Sequence, residues 1–98
     1  MARRAVVMHP EAVAEAAAAA AWYRGRSPAA ATAFEHELER AMVQIAEHPD
    51  RWPSYVPGTR RFALRRFPFT VVYQHDSSTI QLLAVAHARR RPGYWRTR

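Results

Sequence analysis

The chain has no cysteine and no lysine. Without cysteine there are no disulfides and no thiolate metal ligands, so a stapled secreted scaffold and a cysteine-based zinc module are both excluded. Glycine is nearly as scarce, with 3 residues, Gly25, Gly58 and Gly93, each isolated. That spacing excludes a glycine-rich phosphate loop, and no Gly-x-Ser-x-Gly elbow is present to expose a serine nucleophile. The longest uncharged apolar run, residues 16–23, is mostly alanine. It falls far short of the about 20 residues that a membrane-crossing helix requires. Met1-Ala2-Arg3-Arg4 precedes too brief an apolar stretch for a signal peptide. A cytoplasmic protein without membrane contact is expected. His9, His36, His48, His75 and His87 stand at no close ligand spacing, so neither a metal site nor a cofactor is expected.

What is present is one domain's worth of apolar residues and an uneven charge. The 98 residues are 49% hydrophobic, enough for a single core spanning residues 1–98. All 15 basic residues are arginine, and the net charge is +7. The first fifty residues carry five arginines against seven acids, a balance of −2. The rest carry ten arginines against Asp76 alone, a balance of +9. A G+C-rich coding sequence favours arginine and alanine codons, so the clustering of the arginines carries more information than the choice of arginine. It predicts a basic face for a polyanion or an acidic protein, against the plainer reading of a solvated basic surface.

Local signals divide the chain into six elements. Residues 4–8 are rich in valine and read as a strand. His9-Pro10-Glu11 opens a helix, since proline suits the first helical position and Glu11 complements the helix dipole. Alanine propensity carries that helix to about Arg24, and its small side chains would admit a second helix closely. Ser27 and Pro28 start that second helix, whose apolar face is Phe34, Leu38, Ala41, Met42 and Ile45. His48-Pro49-Asp50 stops it. Residues 51–58, with Pro53 and Pro57, read as a loop. Strands are expected over 59–67, 70–75 and 79–87, with Asp76-Ser77-Ser78 as a hairpin turn. The last three strands should form an antiparallel meander. The result is an α+β fold, β-α-α-β-β-β, with a helical hairpin packed on a small antiparallel sheet and a basic tail at about 88–98. Trp22, Tyr23, Phe34, Phe62 and Phe67 are read as core. Tyr94 and Trp95 are read as anchoring the tail.

The densest chemical constellation is Arg60, Arg61, Arg65, Arg66, Arg89, Arg90 and Arg91, with His87, Tyr94 and Trp95 beside it. If the outer meander strands lie near one another, these groups share one rim. Arginine forks bind phosphate bidentately, and a histidine at a strand end has the chemistry of a general acid or base.

The motifs that carry a family resemblance are His9-Pro10-Glu11-Ala12, Trp22-Tyr23 and the second-helix residues Phe34 and Ile45 before Pro49. They continue with Gly58, Arg60-Arg61, the run from Arg66 to Tyr73, and the run from Leu83 to Trp95. Together they resemble the RelE/ParE superfamily, toxins of type II toxin–antitoxin modules. The segments Phe67-Pro68-Phe69-Thr70-Val71-Val72-Tyr73 and Pro92-Gly93-Tyr94-Trp95 look more like the ParE-type, plasmid-stabilisation group. The resemblance implies a growth-inhibiting toxin that poisons DNA gyrase by contact. RelE-like relatives instead cut messenger RNA on the ribosome. In that alternative Arg61, Arg65, His87, Arg90 and Tyr94 would be catalytic, with the arginines stabilising the charged transition state. The sequence departs from the nuclease pattern in having no lysine and in placing Thr70 where an arginine is expected. A third reading is an inactive relative that only binds its antitoxin. All three imply an antitoxin with an acidic segment docking on the basic face, in a toxin–antitoxin hetero-oligomer.

Overall fold

The computed structural model describes residues 4–98, so the reading of Met1-Ala2-Arg3 falls outside them. The elements are β1 (Ala5–Met8), α1 (Pro10–Arg24), α2 (Pro28–Glu47), β2 (Arg60–Ala63), β3 (Phe69–His75) and β4 (Thr79–His87). Both helices start where their caps predict. The His9 Nδ1 accepts the Glu11 N–H at 3.1 Å, and the Ser27 hydroxyl accepts the Ala30 N–H at 3.3 Å. A proline follows each cap, where its missing N–H leaves no hydrogen bond unmade. No helix among the described residues is long and apolar enough to cross a membrane.

The sheet order is β1-β4-β3-β2. The meander of β2, β3 and β4 is antiparallel as expected, but β1 joins β4 in parallel, so the sheet is mixed. The reason is the hairpin itself. Two antiparallel helices return the chain to the end of the sheet where it began, and the meander then brings β4 alongside β1 in the same direction. A second correction concerns β2. The strand expected over 59–67 pairs only over Arg60–Ala63. The Leu64 N–H closes back onto the Phe69 carbonyl at 2.9 Å. The Glu37 carboxylate of α2 then accepts the backbone N–H groups of Arg65 and Arg66, turning the chain out of the ladder.

Each sheet face has its own cover. The helices lie on Val71, Tyr73, Ile80, Leu82 and Val85, and contribute Phe34, Leu38, Ala41 and Ile45. Ala19 and Ala20 are buried there, so the alanine run does provide the close helix contact. Trp22 is not core. It is 54% exposed, because the buried positions of α1 run through Ala12, Ala19 and Ala20 and leave Trp22 on the outer side. There its ring carries the Arg26 guanidinium at 3.6 Å. The other sheet face, formed by Val72, Leu83, Ala84 and Ala86, is covered by Trp95 with Tyr55, Val56 and Tyr94. A β-bulge allows β4 to serve both faces. Val72 pairs with Ala84 and Tyr73 with Leu82, which leaves Leu83 as the extra residue.

Tyr73 ties the end of α2 to the sheet. Its hydroxyl donates to the Pro49 carbonyl at 2.6 Å, and both residues are buried. Burial, opposed by Arg60 and reinforced by Asp50, pushes this phenol up to about 12, so it remains a donor at any ordinary pH. Tyr73→Phe leaves the carbonyl without a partner. The expected loss is about 1–2 kcal/mol, or about 5–10 °C in Tm by scanning calorimetry. An unchanged Tm would mean that water reaches Pro49.

Candidate functional site

The arginines singled out in the sequence do not share one rim. Arg60 turns inward and donates to the Trp52 carbonyl at 2.7 Å and the Asp50 carbonyl at 3.3 Å. It holds the 51–58 loop and belongs to no free basic face. Arg61, the next residue on the strand, points to the opposite sheet face, with its guanidinium 4.9 Å from the centre of the Tyr55 ring. Arg65 and Arg66 stand on the rim of a groove of about 960 Å³ between α2 and the edge of β2. Ala33, Ala41, Trp52 and Phe62 line that groove, with Arg40 also on its rim. Arg66 is already engaged with Glu37 at 3.7 Å.

His87, Arg90 and Tyr94 do come together. They line a second groove, about 470 Å³, between α1 and the end of β4, floored by Tyr23, Phe69 and Val85. Arg61 and Arg65 are not part of it, and Arg89 and Arg91 are exposed beyond β4. His87 is the last residue of β4 and sits edge-on to Phe69 at 5.0 Å. Its Nδ1 accepts the Arg89 N–H at 3.0 Å. In the neutral ring the proton then lies on Nε2, so the nitrogen left free is a donor and offers no lone pair to a substrate. Tyr94 is equally committed. Its hydroxyl donates to Glu15 at 2.7 Å, and Arg90 stacks over its ring at 3.8 Å. Burial and the Glu15 carboxylate raise this phenol well above its ordinary value.

Glu15 and Arg98 escaped the sequence reading, yet they organise this region. β1 stops at Met8, opposite Leu82, and leaves the remaining edge of β4 without a neighbouring strand. Glu15 of α1 accepts the Val85 N–H at 3.0 Å, while Arg98 donates to the Leu83 carbonyl at 2.9 Å. Arg98 also donates to both Glu15 oxygens at 2.9 Å, and its side chain is 8% exposed. Two side chains therefore satisfy the backbone groups that a strand would otherwise pair. Desolvation works to raise the Glu15 carboxyl. The hydrogen bonds from Arg98, Tyr94 and Val85 outweigh it and hold the carboxyl below its ordinary value of 4.5. The signal available in the sequence was the pair Glu11 and Glu15, one helical turn apart on α1, both within ion-pair reach of Arg98.

A solved structure described as the chromosomal ParDE toxin–antitoxin system from P. aeruginosa is similar to this chain at a TM-score of 0.76 and 21% identity. The match covers 87% of this chain and 96% of that one, and at this identity it establishes the fold. No curated protein sequence matches significantly. A family model described as the ParE toxin of the type II toxin–antitoxin system, parDE, matches residues 6–92. The chain belongs to the ParE toxin family of type II toxin–antitoxin systems.

Proposed function

We propose that this toxin inhibits growth by contact with DNA gyrase and performs no hydrolysis of its own. The observation that supports this reading is the dispersal of the nuclease set. Arg61 and Arg65 lie outside the groove of His87, Arg90 and Tyr94. Within that groove the histidine lone pair and the tyrosine hydroxyl are already taken by the protein. Transition-state stabilisation needs donors preorganised around one reacting centre, and this groove offers Arg90 and the His87 Nε2–H without Arg61 or Arg65. The cognate antitoxin would place an acidic, apolar segment in the larger groove between α2 and β2. Arg40 and Arg65 would meet its carboxylates there, and Trp52 and Phe62 its apolar side chains. The assembly would be a toxin–antitoxin hetero-oligomer.

The test is purified, antitoxin-free toxin added to gyrase and supercoiled plasmid. Cleaved plasmid should accumulate, and added antitoxin should reverse it. Unaltered supercoiling with no trapped cleavage, from protein shown to be folded, would sink the gyrase reading. Messenger RNA cleavage on the ribosome is the second reading, favoured by the shared groove of His87, Arg90 and Tyr94.

A further inference from the structure

The acids of this molecule are concentrated in its helical layer. Six of the eight acids are glutamates on α1 and α2. The arginines that meet carboxylates do so at the border of that helical layer or at Asp50. Among the described residues, no carboxylate pairs with Arg61, Arg89, Arg90, Arg91 or Arg96. Arg4, Arg26, Arg40, Arg51 and Arg65 also lack a carboxylate partner among the described residues, but Arg61 and Arg90 are the ones that lie over the aromatic rings covering the second sheet face.

On that side arginine and aromatic rings form a continuous ladder across the sheet. Arg61 lies over Tyr55 at 4.9 Å, and Tyr55 stacks on Trp95 at 5.5 Å and 29°. Trp95 meets Tyr94 edge-on at 5.3 Å, and Arg90 closes the row over Tyr94 at 3.8 Å. The row runs from the β2 edge to the part of β4 beyond its pairing with β1. Gly93 lets the tail fold onto it. Its φ of 88° suits glycine, and a Cβ there would come within 3.0 Å of the Arg96 Nε.

We infer that this face is a contact surface for the phosphate backbone of duplex DNA. Guanidinium groups stacked on rings are already oriented, so less side-chain freedom is lost when their forks engage phosphate. The arginines lie on the rings at both ends of the row and Trp95 is 3% exposed, so unpaired bases find few free aromatic faces. That favours a duplex over a single strand. Val72, Leu83, Ala84 and Ala86 are buried under the tail. The face therefore lacks the exposed apolar centre on which a protein partner would pack. Contact of this kind reads charge and spacing, so binding would be independent of sequence.

The experiment is fluorescence anisotropy of a labelled duplex of about 20 base pairs, titrated with toxin from about 50 to 200 mM salt. Affinity should fall with salt, at a log–log slope of about −3 to −4. Arg61→Gln, Arg90→Gln and Arg96→Gln combined should flatten that slope by about 2–3 and weaken binding at low salt by at least about tenfold. Combining Arg24→Gln, Arg26→Gln and Arg40→Gln removes equal charge from the helical layer and should leave both within about twofold. Circular dichroism establishes that each variant is folded. Equal losses in the two triple variants would overturn the assignment in favour of net charge alone. So would no binding at low salt, or displacement by polyglutamate as effective as displacement by unlabelled duplex. Gyrase takes no part in this measurement, so its outcome is separate from that of the gyrase assay.

Discussion

Glu15→Ala should destabilise the fold by about 2–4 kcal/mol, because one partly buried carboxylate holds three donors whose hydrogen bonds are lost together. Three groups lose their acceptor together: the Arg98 guanidinium, the Tyr94 hydroxyl and the Val85 N–H. For a domain whose whole stability is about 5–15 kcal/mol, that is a large share. The urea midpoint should drop by about 2 M. Glu15→Gln retains an acceptor for Val85 and should lose less. Arg98→Ala should also lose less, since Glu15 keeps two donors, and the double variant should fall short of the sum of the singles. The same group sets an acid limit. Its folded value is depressed, so its contribution is complete above the ordinary 4.5 and is lost as pH falls through the lower folded value. In Glu15→Ala that part of the acid dependence should vanish. A midpoint that did not move would show that Trp95 alone holds the tail.

Phe34→Ala should have an effect of similar size, about 3–5 kcal/mol, through a different mechanism. Phe34 is fully buried and lies 5.5 Å from the ring of Tyr23 and 5.4 Å from the rings of Phe67 and Phe69. It is where α1, α2 and the turn before β3 meet. Deleting it removes apolar burial and leaves a void that three stiff rings cannot collapse to fill. Phe34→Leu should recover more than half of the loss in equilibrium urea unfolding. A cost for alanine below about 1 kcal/mol would mean that the aromatic cluster repacks freely.

The parts of this fold that were legible in the sequence are those set by neighbouring residues. His9-Pro10 and Ser27-Pro28 mark the helix starts because capping is a matter of adjacent groups. Asp76 marks the β3–β4 turn because its carboxylate accepts the N–H groups of Ser78 and Thr79. The parts that were not legible depend on distant partners. The parallel pairing of β1 with β4 joins Ala5 to Thr79. β2 is cut short by Glu37, a residue of α2, and Glu15 meets Arg98 across 83 positions. Arg60 is an intermediate case. Alternation along β2 puts it on the same side as Phe62, so its inward direction was available from the period of the strand. The family was recognised from extended motifs, whereas the separation of Arg61 and Arg65 from the His87 groove emerges only in three dimensions.

The position of β4 has a consequence for how the chain is made. It is the last strand in sequence and an interior strand of the sheet, with β1 on one side and β3 on the other. During synthesis β1 has no partner, and the apolar face of the helical hairpin has no complete sheet to cover it, until residue 87 has left the ribosome. Folding is therefore deferred until β4 has been made, and until then the nascent chain leaves Phe34 and Ile45 without their sheet cover. A chain cut before β4 lacks the strand that both β1 and β3 pair with, and so lacks a complete core.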